Sequence, residues 1–248
     1  MVGRLQDRVA VVTGGASGIG KAVALLFASE GAMIAIGDCS DEAKDVVCEI
    51  ERQGGEAIYV NTDVAKEDDV KHLMNEAVTR FGKIDVLIAN AGIDQISPAH
   101  ETSLADWQKM IDINLTGVFL SNKYAIMHML TRQSGAIVNI SSILGQVGQP
   151  DITAYAAAKG GVSNLTRSIA VTYANQGIRV NAVCPGYIET PLLRDLSDEM
   201  VLLRVSKHPM GRMGRPVEVA HACLFLASEE ASFVTGINLF TDGGYTAQ

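Results

Sequence analysis

The chain has 248 residues, a formal net charge of −8, a 48% share of apolar residues and only 5% aromatics. These proportions fit one globular α/β domain with a large aliphatic core. No Lys/Arg-rich run occurs, which argues against nucleic acid as a partner, and no run of about eighteen apolar residues occurs that would cross a membrane.

The first predicted strand, "RVAVVTG" (8–14), runs into the glycine-rich stretch "TGGASGIG" (13–20) and a helix near 19–30. Gly14, Gly18 and Gly20 permit a tight turn and let the backbone approach a pyrophosphate. Ser17 and Ile19 stand between them at the helix N-terminus, where free N–H groups can meet an anion. The spacing G-x3-G-x-G differs from the common Rossmann G-x-G-x-x-G, and a tight strand–helix connection without a ligand is the plain alternative. The second strand, "AMIAIGD" (32–38), ends in Asp38, eighteen residues after Gly20. A carboxylate there accepts hydrogen bonds from adenosine ribose hydroxyls and repels a 2′-phosphate. No Arg or Lys lies within 14–20 or directly beside Asp38, so NAD is favoured over NADP. The same "GDCSDE" also suits a simple helix cap.

A helix near 41–53 leads to the third strand, "EAIYVNTDV" (56–64), whose Asp63 and Val64 can face the adenine. After a helix at 67–81, "IDVLIANAG" (84–92) ends in Asn90, Ala91 and Gly92, with Asn90 placed to brace neighbouring loops. One long helix is expected over 104–131, followed by the strand "AIVNISS" (136–142) and its terminal Ser142. The next helix, 153–175, opens within "ITAYAAAKGG" (152–161), whose alanines favour helix. There Tyr155 and Lys159 fall at i and i+4, on one face. A phenol beside an ammonium serves packing, solvation or acid–base chemistry, and those two residues alone do not decide which. Strands "IRVNAVCPG" (178–186) and "INLFTDGG" (237–244), with a helix at 216–227 between them, complete a set of seven.

Nearly continuous apolar strands separated by helices predict a doubly wound, seven-stranded parallel sheet with helices on both faces, in a single domain over 1–248. Many strands end in Gly, Asp, Asn or Ser, which gathers polar groups at the carboxyl edge, where open α/β sheets bind ligands. The segment 187–213 is too long for an ordinary connection and reads as a lid with an apolar underside, from "PLL" (191–193) and "MVLL" (200–203). A surface excursion that packs on itself or on another subunit is the alternative.

Taken together, "TGGASGIG", Asp38, "DV" at 63–64, "NAG" at 90–92, Asn114, Ser142, the Tyr155–Lys159 pair and "PGYIET" (185–190) resemble the short-chain dehydrogenase/reductase family, in its compact single-domain branch. The resemblance spans Arg8 to Gly244; Ala89 departs from the second asparagine that many members carry before "NAG". It implies an NAD-dependent oxidoreductase moving hydride between the nicotinamide and a secondary alcohol/ketone pair. Ketoacyl-thioester reductases share these motifs and form the alternative, with a non-catalytic nucleotide-binding regulator behind them. By that likeness Tyr155 is the general acid–base and Lys159 favours its anion and holds the nicotinamide ribose. Ser142 bonds the substrate oxygen, and Asn114 holds a water linking Lys159 to solvent. Pro185 and Gly186 turn the chain beneath the nicotinamide, while Ile188 and Thr190 bond its carboxamide.

Candidate substrate residues are Ile93, Asp94 and Gln95 after "NAG", Leu144 and Gln146 after Ser142, Tyr187, and the 191–210 loop. Gln95 and Gln146 beside aliphatic neighbours suit a polyol, sugar, cyclic alcohol or hydroxy ketone. A homotetramer is implied, with 104–131 and 153–175 forming one interface and the last strand and tail another. No metal is expected: His100, His128 and His208 show no ligand pattern. Cys39, Cys48, Cys184 and Cys223 form no Cys-x-x-Cys pair, which favours reduced thiols and a cytoplasmic protein. In keeping with that, "MVGRLQDRVAVVTGG" has no apolar segment long enough for a signal peptide before Gly14.

Overall fold

Along Val9–Thr13 (β1), Ala10 and Val12 enter one hydrophobic cluster while Val11 enters another on the opposite side. That is the alternation a strand imposes, and here both faces are covered. The computed structural model describes residues 3–191 and 197–248. The remaining strands are β2 (Met33–Asp38), β3 (Ala57–Asn61), β4 (Val86–Ala89), β5 (Gly135–Ile140), β6 (Ile178–Pro185) and β7 (Asn238–Thr241). They form one sheet in the order β3-β2-β1-β4-β5-β6-β7, with every pairing parallel.

The helices are α1 (Gly18–Ser29), α2 (Ala43–Arg52), α3 (Glu67–Phe81), α4 (Leu104–Ile111), α5 (Gly117–Leu130), α6 (Thr153–Tyr173), α7 (Asp198–Ser206) and α8 (Pro216–Ala227). α1, α2 and α8 cover one face, where Phe27, Val46, Ile50 and Leu224 meet Ile34, Ile36 and Ile88. On the other face α3, α5 and α6 bring Leu73, Met74, Ile126, Met129 and Val162 against Val11, Leu87 and Ile137. The chain reverses direction across the sheet between β1 and β4, so the loops after those strands diverge and open a crevice at their carboxyl ends.

Two expectations change in detail. The helix expected over 104–131 is interrupted by a π-helical turn at Asp112–Thr116, where Gly117 N–H donates to Asp112 O. Such turns carry one extra residue and recur at functional sites; Asn114 sits in this one. Several strands are also shorter than their apolar runs: Thr62–Val64 and Asn90–Gly92 leave the ladder and form crevice walls instead.

Of the 187–213 segment, the described part holds α7, and its apolar residues are not an underside. Met200, Leu202 and Leu203 are exposed, whereas Arg204 is buried. Leu192, Leu193, Arg194 and Asp195 lie outside the described residues.

Candidate active site

A cavity of about 640 Å³ runs along the carboxyl edge of the sheet. One end is walled by Gly14, Ser17, Gly18 and Ile19, its flank by Asp38, Asp63 and Val64, and its far end by Ser142, Leu144, Tyr155 and Tyr187.

The glycine-rich end is built for a ligand that lies against backbone. Gly14 and Gly18 have φ of 67° and 54°, where only glycine is unstrained. A Cβ on Gly14 would come 2.7 Å from Ala91 Cα, and one on Gly20 would meet Gly14 O at 2.0 Å. Gly20 does not itself line the cavity; it lets α1 start close under the loop. The α1 N-cap, Ser17, makes no side-chain cap, and the first turn holds no acid. Its N–H groups are thus free to meet an anion, with the helix dipole in favour.

Asp38 is held at the end of β2 by two amides: Ala16 N–H donates to Oδ2 and Ser40 N–H to Oδ1, both at 2.9 Å. The carboxylate therefore ties the glycine loop to the β2–α2 turn, and it still faces the cavity. The two readings of Asp38, cap and ligand acceptor, are compatible, because each carboxylate oxygen can accept again. Asn90 does the bracing expected of it: Nδ2 donates to Thr13 O at 3.0 Å and to Gly14 O at 2.9 Å. Ala91 and Gly92 follow it along the cavity wall.

At the far end, Lys159 is 4% exposed and its Nζ donates to Ile140 O at 2.9 Å, 5.6 Å from the centre of the Tyr155 ring. Helix α6 is clamped to β5 by Ser141, whose Oγ donates to Lys159 O at 2.9 Å and meets Ser163 Oγ at 2.8 Å. Burial pushes the Tyr155 phenol up to about 12, the Ser142 hydrogen bond pulling it back and the Asp94 charge adding to the rise. Burial likewise brings Lys159 down to about 8. In the chain alone, then, desolvation outweighs the neighbouring ammonium, and the neutral phenol dominates at pH 7. Asn114 is fully buried; its Nδ2 donates to Ile93 O at 3.0 Å and Met110 O at 3.1 Å, and Oδ1 accepts from Ile93 N at 3.2 Å.

Pro185, Gly186, Ile188 and Thr190 line the cavity on the β6 side. Gly186 N–H donates to Thr241 O at 3.2 Å, and Ile188 bridges to Gly214. Tyr187 is set by three neighbours. Its hydroxyl donates to Gln149 Oε1, its ring stands edge-on to His208, and its amide donates to His208 Nε2 at 3.3 Å.

Ile93, Asp94 and Leu144 face the cavity, whereas Gln95 and Gln146 are exposed and do not line it. Gln149 and Arg204 do line it, and neither was singled out from the sequence. Gln146 terminates the short 3₁₀ turn Ile143–Gly145, and the chain reaches the cavity only three residues later. The signal available for Arg204 was a lone arginine inside the apolar run "MVLLRV".

The family profile described as enoyl-(acyl carrier protein) reductase matches residues 14–246. A cis-4-hydroxycyclohexanecarboxylate dehydrogenase of Sinomonas cyclohexanicum is 54% identical over 242 residues, 97% of each chain. The chain belongs to the short-chain dehydrogenase/reductase family. Other relatives of this short-chain dehydrogenase/reductase are a cyclohexanol dehydrogenase of Acinetobacter sp. (strain SE19), 43% identical over 100% of this chain and 98% of that one, and a 3-oxoacyl-(acyl-carrier-protein) reductase of Thermotoga maritima, 43% identical over 97% and 98%. Among solved structures, the protein called gox2181 superposes with a TM-score of 0.96 at 37% identity, covering 99% of this chain and 98% of that one. Levodione reductase does so at 0.94 and 36%, covering 98% and 99%. As a short-chain dehydrogenase/reductase of this kind, the protein is an oxidoreductase of secondary alcohols and ketones, and it works with a nicotinamide cofactor.

Proposed function

We propose that the protein is an NAD-dependent dehydrogenase that oxidises a secondary hydroxyl on a saturated ring. One observation carries this reading: Tyr155, Ser142 and Lys159 close one end of a cavity whose other end is the glycine loop and Asp38. The donor set fits a dinucleotide, with uncapped α1 amides for the pyrophosphate and the Asp38 carboxylate for a ribose diol. NAD rather than NADP is favoured because the nearby lysines are already paired, Lys44 with Asp41 at 2.8 Å and Lys66 with Asp63 at 3.5 Å. When bound, the nicotinamide takes up or gives the hydride and, oxidised, adds a positive charge to the cavity.

In oxidation the Tyr155 phenolate takes the proton of the substrate hydroxyl, which Ser142 orients; in reduction the phenol returns it. Lys159 supplies a positive charge beside the ring and shares that charge with Ile140 O. Gly92 supports the relay expected through Asn114: a Cβ there would lie 2.7 Å from Asn114 Oδ1 and 3.6 Å from Lys159 Nζ, so only glycine keeps the space between the two clear. A water there would carry the proton from Lys159 towards solvent.

The ring alcohol rests on the two ring-alcohol dehydrogenases among the relatives and on a largely aliphatic far wall, with Ile93, Ile143, Leu144 and Ile152. A ketoacyl-thioester reductase is the second reading, favoured by the Thermotoga relative. We also assign a cytoplasmic homotetramer. Its support is the free thiols of Cys39 and Cys48 at the surface, and the exposed Leu104, Phe119, Met127 and Val171 on α4, α5 and α6. Among the described residues no helix is long and apolar enough to cross a membrane.

The deciding experiment follows absorbance of the reduced cofactor with NAD or NADP and a panel of ring alcohols. Turnover of cyclohexanol or 4-hydroxycyclohexanecarboxylate with NAD supports the proposal. Activity confined to 3-ketoacyl thioesters with NADPH replaces it with the second reading.

A further inference from the structure

Arg204 is the anomaly of the cavity. It is 8% exposed, on the inner side of a helix whose leucines face outward. Its guanidinium stands 4.8 Å over the Tyr187 ring, and it makes no ion pair among the described residues. Nη1 is buried with no hydrogen-bond partner among them. A buried cation normally persists only when paired and hydrogen-bonded, so an unsatisfied guanidinium in a ligand cavity points to a ligand that completes it.

The surroundings hold this group in place. His208, one turn further along, accepts the Tyr187 amide at Nε2, which leaves Nδ1–H to donate to Arg204 O at 2.8 Å. The Tyr187 ring beneath the guanidinium is fixed in turn through its hydroxyl on Gln149. The one acid nearby is Asp94, in the same cavity wall. It is not within ion-pair distance of Arg204, though it feels that charge, while burial works against its ionisation. A planar fork with a free N–H matches a carboxylate better than any other common substrate group.

We infer that Arg204 is the receptor for a carboxylate carried by the substrate remote from its reacting hydroxyl. This makes the preferred substrate a hydroxy acid rather than a neutral ring alcohol. The inference rests on the ring-alcohol reading above for the hydroxyl end of the substrate. Arg204 takes no part in the chemical step; it sets the register in which the hydroxyl meets Tyr155 and Ser142.

The test uses the full-length protein saturated with NAD. First, kcat/KM is measured for cis-4-hydroxycyclohexanecarboxylate and for cyclohexanol in wild type, Arg204→Lys and Arg204→Met. The ratio of the two should fall by about 10²-fold in Arg204→Met, mainly through KM of the acid, and by less in Arg204→Lys, which keeps the charge and loses the fork. An equal fall for both substrates would make Arg204 a structural latch and overturn the inference, as would no change in either. Second, binding of unreactive cyclohexanecarboxylate is measured by calorimetry. Arg204-dependent binding without turnover of either alcohol would leave the inference standing and sink the ring-alcohol function. Turnover of cyclohexanol with no binding of cyclohexanecarboxylate would do the reverse.

Discussion

The Lys159 ammonium stands 5.6 Å from the centre of the Tyr155 ring, yet it hydrogen-bonds backbone, at Ile140 O, rather than the phenol. Tyr155 is thus free to exchange its proton with a substrate, and its high pKa makes alcohol oxidation rise with pH and ketone reduction fall with it. Tyr155→Phe keeps the ring and removes the proton carrier. Turnover should drop by about 10²–10⁴-fold with NAD affinity retained. Titration of cofactor fluorescence separates the two effects, and a drop of less than tenfold would remove Tyr155 from the role.

Lys159 makes a separate prediction about stability. Its pKa is about 8 in the folded chain against an ordinary 10.5, so the unfolded chain binds the proton more readily between those values. The cost of burying the ammonium is fully present below pH 8 and is relieved as pH rises towards 10.5. Lys159→Met has no such titration, so its stability relative to wild type should shrink between pH 7 and pH 9.5, by about 2 kcal/mol. Urea denaturation of the cofactor-free proteins at the two pH values measures it, and a pH-independent difference would mean that Lys159 is not desolvated.

Asp38 governs cofactor choice. Asp38→Ala combined with Cys39→Arg should move the kcat/KM ratio towards NADP by removing a repulsive charge and adding a phosphate partner. The amides of Ala16 and Ser40 lose their acceptor in that variant, which should cost about 1–3 kcal/mol of stability. Asp38→Asn keeps an acceptor and should be less destabilised. A wild type that already prefers NADP would refute the assignment.

Gly92→Ala tests the proton relay. The added methyl would intrude between Asn114 Oδ1 and Lys159 Nζ, so oxidation should slow by tenfold or more. Because the backbone there needs no positive φ, the variant should fold normally, as circular dichroism would report. Wild-type turnover would show that the proton leaves by another route.

Oligomeric state follows from surface chemistry. Sedimentation should give a tetramer, and Phe119→Glu with Val171→Glu should dissociate it at least to dimers. A monomeric wild type would mean that these apolar residues face solvent.

The sheet was legible because burial on both faces leaves near-continuous apolar runs, as in Val9–Thr13 and Ile178–Pro185. The Tyr155–Lys159 pair was legible because an i, i+4 spacing on a helix fixes which side chains are neighbours. Less visible was anything set by loop path or helix phase. Gln149 reaches the cavity and Gln146 does not, a difference that depends on how the chain turns after Gly145. In α7 the apolar residues seemed the inward set, but the helix is rotated so that Arg204 faces in, a choice made by the ring of Tyr187 and the imidazole of His208. Helix periodicity also continues smoothly through Asp112–Thr116, so the extra residue of the π-turn leaves no mark in the pattern.

That extra residue makes the middle of this helix the opposite of a loop in its response to length changes. Removing any one residue from 112–116 would let the turn close to the ordinary 3.6 residues, rotating one side against the other by about 100°. Either Asn114 would swing away from Ile93, or the buried face of α5 would turn outward with Ile126 and Met129. A family of sequences sharing this site would therefore tolerate exchange of side chains along the segment far more readily than the loss of a single position.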